Sequence, residues 1–176
     1  MRRFLIISNS VDTSKPLSLN SLTGYGRLDV LCRCISSAFF LSNDFRKDVI
    51  LEIYFRINGK ILEIRGDSVR GINPDERAIA GVLKRIFKEH PHPGIRFYPS
   101  TLEGYLEGQS PLVLDMKGEY STLMLKKHVS FIIGDQIGFI EENWQFFSKL
   151  PKFSLGSHEY LSSQTITILN YLLDTL

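Results

Sequence analysis

The chain predicts an α/β fold, one sheet with helices on its faces, and three observations predict it. Short apolar runs alternate with helical patterns from end to end. Glycine turns close several of the runs. At 176 residues, with 43% hydrophobic and 23% charged residues, the chain suits one well-filled core rather than two domains or disorder.

The first element is Arg3–Ser8, apolar and too short for a signal peptide or a membrane span, so it reads as a buried strand. Leu28–Leu41 is apolar throughout and predicts a helix buried on more than one side. Val49–Phe55, with β-branched and aromatic residues, and Lys60–Arg65 follow as strands; Asn58-Gly59 between them signals an antiparallel hairpin. Asn73-Pro74-Asp75-Glu76 is a helix start, with Asn73 as the capping side chain, and that helix runs to about Lys88. His90-Pro91-His92-Pro93-Gly94 reads as a loop within one domain. Further strands are expected at Ile95–Tyr98, Pro111–Leu114 and Val129–Ile133, and a closing helix at Glu159–Leu173.

The net charge of +2 carries no whole-chain polyanion signal, so any RNA affinity rests on a local basic patch. Cys32 and Cys34, one residue apart, would point their thiols about 200° apart on a helix, which disfavours a disulfide or a shared metal. His90, His92, His128 and His158 are dispersed, and no metal site is expected. There is no G-x-S-x-G elbow, no P-loop and no strand-anchored G-x-G-x-x-G. A reduced, cytoplasmic protein is expected.

Three constellations can carry chemistry. Gly24 to Cys34 places Arg27, Asp29 and Arg33 at a helix start, where two arginines around one carboxylate would grip RNA phosphates. The alternative is a solvated helix start with its own ion pairs, and the apolar surroundings favour function. Arg46, Arg65, Arg70 and Arg77 lie at loops or element ends, as an RNA patch beside Tyr25 or as scattered surface charge. In the second half, Val129–Gly138 and Phe153–Ser157 are apolar elements ending in glycine turns. With Leu114 they would build a pocket from backbone edges that suits an adenosine-like ligand; glycines that merely turn the chain are the other reading.

Gly26-Arg27-Leu28-Asp29-Val30-Leu31-Cys32-Arg33-Cys34, Arg46-Lys47-Asp48-Val49, Asn73-Pro74-Asp75-Glu76-Arg77, Ile133-Gly134-Asp135 and Ser154-Leu155-Gly156 occur in that order. Together they resemble the archaeal tRNA pseudouridine-N1 methyltransferases (TrmY type) of the SPOUT superfamily, over nearly the whole chain. The resemblance implies a single SPOUT domain over residues 1–176 with a C-terminal trefoil knot, a homodimer, S-adenosyl-L-methionine as methyl donor, and pseudouridine 54 of tRNA as substrate. Relatives of the same fold that act on rRNA, or a catalytically inactive RNA-binding relative, are the alternatives. Carried over by position, the donor pocket would use Leu114, Gly134, Leu155, Gly156, Ser157, His158, Glu159, Tyr160 and Thr165. Arg27, Arg33, Arg46 and Arg77 would hold RNA. Asp29 would accept a proton or orient the substrate, with a structural cap as its other reading. Gln136, Ser157 and Thr165 stand where the family usually has histidine, proline and cysteine.

Overall fold

A computed structural model describes residues 1–127 and 129–176; His128 lies outside the described residues. Seven strands form one sheet: β1 (Arg2–Ser8), β2 (Val49–Phe55), β3 (Lys60–Arg65), β4 (Ile95–Pro99), β5 (Leu112–Glu119), β6 (Ser130–Gly134) and β7 (Lys152–Phe153). Their order is β4-β3-β2-β1-β6-β5-β7. The strands from β2 through β7 in that order run parallel, and β3 is antiparallel to both of its neighbours, β2 and β4. The Asn58-Gly59 turn makes the expected hairpin, with Gly59 at φ 57°.

Helix α1 (Leu28–Phe39) is buried along most of its length, with Leu31, Cys32, Cys34, Ile35 and Phe39 in the core and only Arg33, Ser36 and Ser37 partly exposed. It stops at Phe39, short of Leu41, because Phe40 turns to extended backbone. Helix α2 (Glu76–Ile86) is capped by Asp75, whose side chain accepts from the Ala78 N–H at 2.9 Å. The cap therefore lies two residues after Asn73, since it is Asp75 that reaches the free amide of the first turn. Helix α6 (Ser162–Asp174) closes the chain. These three helices cover one face of the sheet. The smaller core on the other face comprises Leu5, Ile7, Tyr54, Ile61, Val113 and Ile132, with Leu102 from α3 (Leu102–Leu106) and Phe147 from α5 (Glu141–Phe147). Helix α4 (Thr122–Lys127) follows β5.

Strand β5 is longer than expected and curls around β7. Phe153 pairs with both Leu114 and Glu119. Val113 N–H donates to Pro151 O at 2.9 Å, and Ser154 N–H donates to Glu119 O at 3.2 Å. Gly118 is pressed onto this strand so closely that a Cβ there would sit 2.7 Å from backbone atoms of Lys152 and Phe153. The last helix is tied back to the first strand: Arg2 and Arg46 both pair with Asp174, at 2.9 and 2.6 Å, and Asn170 Nδ2 donates to Ser37 O and Ala38 O. No helix among the described residues is long and apolar enough to cross a membrane.

Candidate functional site

The parallel strands β5, β6 and β7 end on the same side of the sheet. Their turns meet the first turns of α6 around an open cleft of about 700 Å³, a position where α/β folds commonly bind ligands. Each wall follows from local chemistry. Gly134 ends β6, and a Cβ there would lie 2.7 Å from Gly138 Cα, so only glycine lets the chain double back. Asp135 makes that reversal by accepting from Ile137 N–H at 2.9 Å, and it accepts from Asn9 N–H at 2.7 Å. Burial pushes the Asp135 carboxyl up, outweighing these amide bonds. After β7, Ser154 Oγ donates to Gly156 O and accepts from Gly156 N–H, stapling a turn in which Gly156 sits at φ 114°. Ser162 Oγ donates to Gly134 O at 2.6 Å and fixes the start of α6 against β6.

The cleft brings together eight of the nine anticipated pocket residues: Leu114, Gly134, Leu155, Gly156, His158, Glu159, Tyr160 and Thr165. Ser157 is in the same loop, exposed, but not in the wall. Arg27 and Arg33 also line the cleft. Asp29 sits behind them, buried, with Arg27 Nε and Nη2 on its two oxygens and Arg33 Nη2 on one of them, all at 3.0 Å. The Arg27 hydrogen bonds, then Arg33, hold its carboxyl below the usual range despite burial. A carboxylate engaged in this way is a weak base, so the geometry favours an orienting role over proton acceptance. Arg33 Nη1 reaches Glu76 at 3.1 Å, joining α1 to the start of α2.

Two anticipated arginines stand outside the cleft wall. Arg46 is largely buried, its Nη1 and Nη2 on the two oxygens of Asp174. Arg77 is exposed and donates to Leu19 O and Asn20 Oδ1. Reading by pattern missed Asp115, Met116, Phe139 and Trp144, all in the wall. The one tryptophan of the chain was the available signal for the last. Phe139, Trp144 and Phe147 pack edge to face, and Lys152 Nζ lies 4.6 Å from the Trp144 ring centre and 3.2 Å from Asp115. Among the described residues there is no group of three or more His, Cys, Asp or Glu able to hold a metal.

Apolar surface, glycine-edged backbone and two arginines beside three carboxylates, Asp115, Asp135 and Glu159, give this α/β protein a cleft that suits a nucleoside-like ligand. Residues 1–176 match the family described as "Putative SAM-dependent RNA methyltransferase". The chain belongs to that family. It is 35% identical over 198 residues to the tRNA (pseudouridine(54)-N(1))-methyltransferase of Methanocaldococcus jannaschii, covering 99% of this chain and 97% of that protein. Its identity to the enzyme of the same name from Methanocorpusculum labreanum is 33% over 184 residues, covering 96% and 94%. Among solved structures it resembles Archaeoglobus fulgidus Nep1 bound to S-adenosylhomocysteine. The TM-score is 0.77 at 15% identity, covering 99% of this chain and 97% of that one.

Proposed function

We propose that this chain transfers a methyl group from S-adenosylmethionine to N1 of pseudouridine in tRNA, at position 54. The observation that carries this reading is the cleft itself: turns at Leu114, Gly134 and Leu155–Tyr160 converge with Thr165 while Arg27 and Arg33 stand at the same opening. Its size and composition fit the donor. Leu114, Ile133 and Leu155 offer apolar surface to an adenine ring, and the Gly134–Gly138 and Ser154–Gly156 turns offer backbone N–H and C=O groups. S-adenosylmethionine held by these turns would supply an activated methyl group; its transfer to N1 of pseudouridine would leave S-adenosylhomocysteine and release the N1 proton to solvent.

The protein's work is then alignment. Arg27 and Arg33 hold the RNA phosphates, and Asp29 orients both guanidiniums. Their charge also favours the anion that develops on the base. The wrapping of Leu112–Glu119 around Lys152–Phe153 supports a knotted C-terminal segment of the SPOUT type within one domain. The protein is read as a cytoplasmic homodimer, as the resemblance implies.

Purified protein, S-adenosylmethionine and otherwise identical tRNAs carrying pseudouridine or uridine at position 54 test the reading, with nucleoside mass spectrometry as the assay. N1-methylpseudouridine is expected only from the first tRNA. Methylation of rRNA with none of tRNA would overturn the substrate, and transfer to neither would overturn the activity.

A further inference from the structure

We propose that Ser10 is a positioning residue that links the donor-side wall of the cleft to Arg27; this rests on the assignment of donor and RNA sites made above. Gly26 and Arg27 are consecutive left-handed residues, with φ 59° and 64°. A non-glycine residue keeps that conformation only where its surroundings enforce it. Arg27 has no capping side chain of its own at the start of α1. Backbone bonds close the turn, Arg27 N–H to Thr23 O and Leu28 N–H to Leu22 O and Tyr25 O, and Ser10 braces it from outside, its Oγ–H donating to Gly26 O at 2.8 Å. The two backbones are in close contact, since a Cβ on Gly26 would lie 2.3 Å from Ser10 O. The same hydroxyl accepts from Gln136 Nε2 at 2.8 Å.

Gln136 to Ser10 to Gly26 is thus a chain of two hydrogen bonds pointing one way, each polarising the next. Its far end is the Asp135–Gly138 turn, part of the cleft wall beside Gly134. Its near end is the residue before Arg27. A donor resting on the β6 turn restricts Gln136, and through Ser10 it restricts the backbone that aims Arg27. Ser10 itself is not in the cleft wall, so it acts through its neighbours. Linkage makes the effect reciprocal: donor-site occupancy tightens RNA binding, and RNA tightens donor binding by the same factor.

Ser10→Ala removes one oxygen and both hydrogen bonds. Calorimetry with S-adenosylhomocysteine, RNA affinity with and without that compound, and steady-state kinetics on pseudouridine-containing tRNA are measured for parent, S10A, Q136A, the double variant and S10T. Thermal melts identify any variant that has lost its fold. In the parent, S-adenosylhomocysteine is expected to tighten RNA binding. S10A should keep S-adenosylhomocysteine affinity in the absence of RNA within about twofold and raise the RNA KM roughly three- to tenfold, the loss expected for such a hydrogen bond. It should also abolish the tightening. The double variant should be no worse than either single variant, and S10T, which keeps the hydroxyl, should restore the parent values. An unchanged RNA KM and coupling in S10A, or fully additive losses, overturns the link. A parent that neither binds nor methylates the RNA would instead overturn the functional reading on which the link rests.

Discussion

Gly118→Ala tests the packing of β5 around β7. Alanine at an unstrained glycine position ordinarily stabilises a protein by about 0.4–1 kcal/mol, by restricting the unfolded chain. Here the added Cβ would meet Lys152 C, Phe153 N and Phe153 C, each at 2.7 Å, where ordinary contact begins at 3.4 Å. The loop would have to open by about 0.7 Å, and since all three atoms are backbone, no side chain can rotate away. Opening also strains the Ser154 N–H to Glu119 O bond. Overpacking of this kind costs about 1–3 kcal/mol, which at this chain length lowers the melting temperature by roughly 2–12 °C. Phe153 and Ser154 line the cleft, so S-adenosylhomocysteine affinity should fall as well. Thermal unfolding followed by circular dichroism and calorimetric titration measure the two effects. Gly81→Ala is the control: it lies inside α2 with nothing within 4 Å of an added Cβ, and it should stabilise by about 0.5–1 kcal/mol. If Gly118→Ala melts at or above the parent while Gly81→Ala behaves as stated, the close wrapping is wrong.

Other outcomes follow from the same structure. Asp29→Asn should raise the RNA KM by about tenfold and destabilise by about 1–2 kcal/mol, modest because its arginine partners are partly exposed. Because the folded Asp29 pKa is depressed, its stabilisation is present above the ordinary carboxylate value and is lost as pH falls through the folded value; acid unfolding curves of the parent should show this loss and those of the variant should not. Arg46→Ala should lower stability by about 1 kcal/mol through loss of the Asp174 pair, while RNA KM stays within twofold; a large rise in KM would restore Arg46 to the RNA site. Cys32 and Cys34 are buried free thiols pushed up to about 12, chiefly by burial, so a maleimide should label neither at pH 7.5 in the folded protein and both in guanidinium.

Where local sequence alone decides an element, the reading and the structure agree. Strands β2 and β3 carry β-branched runs separated by Asn-Gly, and their bounds are as expected. Helix α5 escaped because it is short and follows the apolar Ile137–Ile140 stretch; its register is set by Asn143 Oδ1 accepting the Ile140 N–H and by packing of Phe147 into the second core. The second half of β5, Asp115–Glu119, is polar and becomes a strand only because β7 lies alongside it, a tertiary effect with no local pattern. The cleft shows the same division. Asp29 and Arg33 were visible together because four-residue spacing places them on one helix face, whereas Arg27 reaches Asp29 from the left-handed residue that precedes the helix. Leu114, Gly134 and Gly156 were read together from glycine turns at strand ends, and only family resemblance added Thr165 to that pocket.

The tie between Ser162 and Gly134 has a consequence for synthesis. Segments made late, β7 and the start of α6, supply much of the cleft, and β7 must pair with a β5 segment already made. A nascent chain can complete most of its sheet and its first two helices while having no place for a ligand. Ligand binding is therefore a property of the finished molecule alone, which makes it a check on correct folding as well as a step toward catalysis.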